Sequence, residues 1–393
     1  MVCYAKQQVA AQRERTLEVQ IKRFGKSYQR RLRKLVKASS RLGDVLYSFP
    51  AAAFALVSGR ADHVRRGEAV RMIRDGAPLR LVGKTLDLPI WTRRLPPEAF
   101  EAPLGVFPDS EAFTRTVANH IPREPDDTAV WLRWLVAGYE GCDADFALWL
   151  ARQKVHRARL PANVVPVFPL ATYAWFSGLE QDVHARRLVT RPWHKSLTLA
   201  AAVDSMCAWF DRTILDLTAA DRKRGTGRYS GNRRHQPYSF LPLRTAEALA
   251  EEGRAMDHCV GTYAGMVARG ECAIYSVRFL ERRVATLELR WFDGYDRPPV
   301  VNQLRGIANT GVTNETRAAV RLWLAQQDAL SLGNPRSLGA LPIDETRWRA
   351  YWAEYIALKG ASGIVPPKPS NALLLRLSRE VAQLSHGVSS YAA

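Results

Sequence analysis

Residues 273–305 read AIYSVRFLERRVATLELRWFDGYDRPPVVNQLR, and the fold turns on how this stretch alternates. AIYSVRFL (273–280) alternates between apolar and polar residues over Tyr275–Phe279, and RVATLELRWF (283–292) over Ala285–Trp291, the period of a half-buried strand. In the second run Val284, Thr286, Glu288 and Arg290 fall on one face, and Ala285, Leu287, Leu289 and Trp291 on the other. Glu281-Arg282 is short enough for a tight hairpin. Asp293 to Pro299 is a turn, and Val300 to Arg305 reads as a third strand. The prediction is an antiparallel meander of three strands.

Helical patterns surround this meander. Residues 243–270 read as a helix, a break and a second short helix. Thr313 is placed to cap a helix running to about Gln327. Upstream, helical spacing recurs over 127–160, with a break predicted at Gly138 and Gly141, and again over 196–218. Residues 161–170, with three prolines, read as non-helical. Six tryptophans (131, 134, 149, 175, 193 and 209) crowd this region. They read as core, with base stacking as the functional alternative. The C-terminal stretch carries Trp348, Tyr351, Trp352 and Tyr355 at helical spacing, and a last helix is predicted over about 371–385. The fold class is therefore α+β: a mainly helical N-terminal region, then a small domain whose three-stranded antiparallel meander is flanked by helices. Five segments are predicted. They are a basic helical segment (1–41), a mainly helical domain (42–221), a basic Gly/Ser-rich linker (222–237), the α+β domain (238–330) and a helical extension (331–393).

Charge is the unusual feature of the composition. The chain of 393 residues carries 57 Lys and Arg against 38 Asp and Glu, a formal net charge of +19. Residues 1–41 alone hold twelve Lys or Arg and two acids. A helix is predicted from Lys22 to Lys37, with Phe24, Tyr28, Leu32 and Leu35 as its apolar stripe. Its cations Lys22, Arg23, Lys26, Arg30, Arg31, Arg33, Lys34 and Lys37 are candidates to track phosphates. A docked helix with a solvated basic face and a membrane-surface helix are the competing readings. A second cluster, Arg222, Lys223, Arg224, Arg228, Arg233 and Arg234, sits among glycine and serine; this composition argues for a linker rather than a helix or packed strand. GTGRYSG within it lacks the GK[ST] of a P-loop. Residues 236–330 balance, with eleven of each sign.

Several classes are set aside. The apolar fraction of 47% is that of a globular chain. The five cysteines (3, 142, 207, 259 and 272) are widely spaced and form no CxxC, which argues against a disulfide framework or structural zinc. Phe49 to Val57 is apolar but too short to span a bilayer and contains Pro50. A cytoplasmic protein with reduced thiols, without a transmembrane segment and without a cofactor, is expected.

Two motifs flank the strands. One is Met256-Asp-His-Cys-Val-Gly-Thr-Tyr263; the other is Asn302-Gln-Leu-Arg-Gly-Ile-Ala-Asn309. Their order and setting, with His258, Cys259, Val260, Gly261, Tyr263, Gly270, Tyr275, Gln303, Arg305, Gly306 and Asn309 as matching positions, resemble the PcfJ-like family over about residues 238–328. That family is named for a protein of a conjugative plasmid transfer region. The resemblance implies a bacterial plasmid or mobile-element setting and a fold, but no reaction.

The chemistry must be read from the residues themselves. On an uninterrupted helix His258 would lie opposite Met256 and face solvent, and Cys259 would pack inward. On the third strand Val301, Gln303 and Arg305 would share one face. Arg305, Gln303, Asn309, Tyr263 and His258 together would suit an anion, with His258 and Arg305 as catalytic candidates. His258 and Cys259, adjacent on a helix, point about 100° apart and cannot form a dyad with each other. The carboxylates Asp257, Glu271, Glu288 and Asp293 match no metal-ligand spacing. Three functions remain open: a nucleic-acid-binding accessory protein of a plasmid or mobile element, an enzyme acting on a phosphate-containing or nucleic-acid substrate through the His258/Gln303/Arg305/Asn309 pocket, and a protein–protein adaptor. The expected partners are DNA or RNA and a protein from the same mobile element.

Overall fold

The structure is a computed structural model that describes residues 2–153, 167–181, 183–224, 233–235, 237–290, 299–326 and 345–360. The chain divides into two compact units, Met1–Trp175 and Phe176–Ala393. The division lies upstream of the 222–237 segment predicted as a linker.

The first unit is helical: α1 (Val2–Lys22), α2 (Lys26–Ala38), α3 (Ser40–Ser48), α4 (Pro50–Ser58), α5 (His63–Asp75), α6 (Leu79–Thr85), α7 (Glu111–Val117), α8 (Pro125–Gly141) and α9 (Ala144–Arg152). Helix α10 (Val167–Ser177) carries the chain into the second unit. Helix α4 is the axis of the first core, with every residue from Pro50 to Val57 buried. Ile21, Phe24 and Leu32 of the basic segment belong to the same core, so residues 1–41 are built into this unit. The helix predicted from Lys22 is interrupted at Gly25. A Cβ there would lie 3.4 Å from the Phe100 carbonyl oxygen, and glycine allows the close approach.

Two other expectations are refined. The break between α8 and α9 falls at Gly141, as expected, but α8 continues through Gly138, where a Cβ would come within 2.5 Å of Leu150, so that glycine serves helix packing. Helix α10 begins at Val167 with Pro169 in its first turn, where a proline nitrogen forfeits no helical hydrogen bond. Trp131, Trp134, Trp149 and Trp209 are buried, as the core reading of the tryptophans expects, which removes them as base-stacking platforms.

The second unit contains α11 (His184–Arg187), α12 (Leu199–Arg224), α13 (Ala246–Met256), α14 (Ala264–Arg269), α15 (Asn314–Ala325) and α16 (Glu345–Lys359). Its sheet is antiparallel in the order β1 (Arg233–His235), β2 (Tyr238–Pro242), β3 (Cys272–Phe279), β4 (Arg282–Arg290), β5 (Val300–Arg305). The expected meander is β3-β4-β5, and two further strands extend it. The basic segment is thus ordered at both ends: α12 runs to Arg224, and Arg233–His235 pairs with Tyr238–Phe240. Backbone pairing along a strand edge asks little of side-chain composition, so glycine and arginine did not preclude it. The β3–β4 hairpin turns at Leu280-Glu281, both at positive φ, one residue before the predicted place.

Each face of the sheet is covered. On one face Phe240, Tyr275, Val277, Ala285, Leu287 and Leu289 form a core with Trp323 of α15. Trp323 stacks on Phe240 at 4.4 Å and meets Tyr275 edge-on at 5.0 Å. Thr313 caps α15 by accepting from the Thr316 amide at 3.2 Å, as its sequence position predicts. The other face carries Thr286, Glu288 and Arg290, and α13 and α14 pack over it. Trp348, Tyr351, Trp352 and Tyr355 of α16 are buried as their spacing predicts. The predicted turn at 293–299 lies largely, and the last helix at 371–385 wholly, outside the described residues.

Candidate functional site

The site begins where α13 ends. Thr245 caps its start, and the helix stops at Met256 because Asp257 adopts a left-handed conformation (φ 52°). The amides of Asp257 and His258 both return to the Gly253 carbonyl, the latter at 3.1 Å. A Cβ on Gly253 would sit 2.9 Å from the His258 carbonyl oxygen and 3.2 Å from the Gly261 nitrogen, so only glycine lets the chain fold back this closely. His258 is consequently extended rather than helical, and a single turn of 3-10 helix follows at Cys259–Thr262. The break turns His258 toward the sheet, half-buried, and leaves Cys259 exposed. Both placements reverse those expected of an uninterrupted helix.

Beneath His258 lies a chain of polar contacts. Its Nε2 is 2.8 Å from Thr286 Oγ1. Thr286 in turn donates to Glu252 Oε1 at 2.9 Å, and the Arg283 guanidinium donates to Glu252 Oε2 at 2.9 Å. Glu252 is 1% exposed. A second buried carboxylate, Glu288, accepts from Arg290 and, at 2.9 Å, from Asn302. Both acids are thus ion-paired and hydrogen-bonded, as buried charge requires.

The third strand completes the site with a bulge. Arg305 pairs with Thr286 and Gln303 with Glu288; the register then slips, so that Val301 faces Leu289. Asn302 is the extra residue, and its amide is the one that reaches Glu288. The slip transfers Val301 to the opposite face, away from Gln303 and Arg305, which corrects the period-two expectation. After β5 the chain turns sharply at Gly306, whose amide donates to the Thr310 carbonyl at 2.9 Å. Ala308 and Asn309 both have positive φ. The outcome is a small open cavity of about 30 Å³ lined by His258, Tyr263, Thr286, Glu288, Gln303, Arg305 and Asn309, among others. All five pocket residues anticipated from the motifs line it. Burial, with Glu288 close by, raises the Tyr263 hydroxyl above its ordinary range and pushes the Cys272 thiol up to about 12.

A comparison with protein families now bears on this geometry. Residues 177–321 match the family model described as PcfJ-like protein. This segment is similar to the PcfJ-like family. It is wider than the motifs alone suggested, reaching from the end of α10 through most of α15. No curated protein and no solved structure matches the chain. Within the PcfJ-like segment, motif reading missed Glu252 as a member of the site and left Thr286, Asn302 and Arg290 without roles. Glu252 had a usable signal: it lies three residues after Leu249 and four before Met256, on the stripe α13 buries. No cluster of three or more metal-ligating side chains occurs among the described residues.

The basic candidates outside the PcfJ-like segment sit on the first unit and divide sharply. Arg23 makes a two-pronged ion pair with Glu98, at 2.7 and 3.1 Å. Arg33 grips Glu18 at 2.6 Å and holds its carboxyl below the usual range, and Arg31 donates to the Val57 carbonyl at 3.1 Å. Lys26, Arg30, Lys34 and Lys37 are exposed, and they make no side-chain hydrogen bond or ion pair among the described residues. At 100° per residue these four fall within about 80° of one another on α2. Lys22 is exposed at the end of α1 and acts on Glu18. Arg222, Lys223 and Arg224 end α12, and Arg233 and Arg234 lie in β1. Arg228 falls outside the described residues.

Proposed function

We propose that the chain is a nucleic-acid-binding accessory protein of a bacterial plasmid or mobile element, working in the cytoplasm, and that α2 supplies its main phosphate grip. One observation carries the reading: Lys26, Arg30, Lys34 and Lys37 form an exposed row of cations with no carboxylate partner, on a helix whose other side is anchored in the core. A row spanning eleven residues covers about 16 Å of helix, enough for several successive phosphates. The absence of any acid in α2 leaves that row uncompensated. The plasmid setting is supported by the PcfJ-like match.

The test is salt-dependent binding to duplex DNA and to single-stranded RNA. Four phosphate contacts contribute about −3.6 to the slope of log affinity against log salt on duplex DNA and about −2.8 on a single strand. The Lys26→Gln, Arg30→Gln, Lys34→Gln, Lys37→Gln variant should flatten the slope by roughly these amounts while keeping its melting temperature. An unchanged slope would overturn the reading. Recovery of a stoichiometric protein partner after nuclease treatment, with no nucleic-acid binding, would favour the adaptor instead.

A further inference from the structure

The His258 cavity carries an inference independent of α2. A threonine hydroxyl has one proton to give. Thr286 gives it to Glu252, whose other oxygen is occupied by Arg283. The contact between Thr286 Oγ1 and His258 Nε2 must therefore run the other way, with Nε2–H donating. This fixes the neutral ring as the Nε2–H tautomer and leaves Nδ1 as its proton acceptor. The chain Arg283–Glu252–Thr286–His258 thus orients an imidazole in the way that a buried carboxylate orients a catalytic base.

The opposite wall supplies positive charge. Glu288 is taken by Arg290 and Asn302, and Glu252 by Arg283, so neither acid neutralises Arg305. Arg305, the cross-strand neighbour of Thr286, is exposed and makes no ion pair or side-chain hydrogen bond among the described residues. Gln303 and Asn309 add amide donors at the same mouth. A cavity of about 30 Å³ accommodates about two waters or one small anionic group.

We propose that this cavity is a binding site for a phosphate group. Arg305, Gln303 and Asn309 donate to its oxygens, and His258 Nδ1 is the acceptor for a hydroxyl proton presented beside it. The remainder of the ligand lies outside the cavity, in solvent.

The probe is inorganic phosphate added to the full chain, followed by long-range proton–nitrogen correlation of the histidine side chains. His258 should show a protonated Nε2 and an unprotonated Nδ1, and its signals should shift saturably with phosphate. Arg305→Gln should weaken that binding at least tenfold without lowering the melting temperature. Thr286→Val should remove the single-tautomer pattern at His258. The α2 variant with its four cations neutralised should bind phosphate at His258 as the wild type does, which separates this site from the nucleic-acid reading. Absence of a saturable shift at His258, or an Arg305→Gln affinity equal to wild type, overturns the proposal. If Thr286→Val does not fold, the exposed Arg305→Gln variant still decides it.

Discussion

Helix α2 and the polar face of the sheet both carry several basic side chains, yet they hold their charge in opposite ways. Over the sheet, Arg283 and Arg290 are each bound to a carboxylate that is almost fully buried, so charge there, apart from Arg305 at the cavity mouth, is internal to the fold. Arg23, just before α2, and Arg33 within it are tied down, while Lys26, Arg30, Lys34 and Lys37 of α2 face outward without acids. A buried, paired charge is costly to disturb and unavailable to a partner. An exposed, unpaired one costs the fold almost nothing to remove and is available to a polyanion. Net charge alone blurs this distinction. The +19 of the chain does not by itself say which cations a polyanion could reach; the pairing pattern does.

The contrast can be broken or sharpened by substitution. The largest effect is expected in the apolar face that supports the polar one: Trp323→Ala removes the stack on Phe240 and the edge contact to Tyr275 and should cost about 3–5 kcal/mol in urea unfolding. Glu252→Ala takes the acceptor from buried Thr286 and leaves Arg283 only the exposed Glu251 as its carboxylate partner, and it should cost about 2–3 kcal/mol. Gly253→Ala places a methyl against the His258 carbonyl; a loss of about 1–2 kcal/mol with displaced His258 resonances is expected. Each of Lys26→Gln, Arg30→Gln, Lys34→Gln and Lys37→Gln should change stability by no more than about 0.5 kcal/mol. A loss above about 1 kcal/mol from any of these four would mean that α2 uses its cations internally after all. Among the cysteines, exposed Cys259 should alkylate well before Cys272, whose buried thiol sits near pH 12; peptide mapping after brief iodoacetamide treatment at pH 8 reads the order.

The meander was legible because alternation over Tyr275–Phe279 and Ala285–Trp291 places one apolar face on each strand. The α15 cap was legible because Thr313, with Thr316 three residues on, stands immediately before the helical pattern. What escaped reading depended on single backbone departures. The left-handed Asp257 redirects His258, and the bulge at Asn302 reverses Val301; neither residue type announces the geometry, because each is set by what packs around it. Glu252 was hidden differently. It sits beside Glu251, and only the three-and-four spacing to Leu249 and Met256 separates the buried acid from the exposed one. The basic segments left alternatives open. Of the readings for residues 22–37, the docked helix fits the burial of Phe24 and Leu32, and β1 pairs part of the segment read as a linker with β2.

The uncompensated row on α2 is the claim on which the functional account stands, and lysine acetylation footprinting tests it most directly. With saturating nucleic acid at about 50 mM salt, Lys26, Lys34 and Lys37 should be protected severalfold from acetic anhydride, while exposed Lys84 of α6 should react at its unbound rate. Nucleic acid bound with Lys26, Lys34 and Lys37 still reacting like Lys84 would contradict the account.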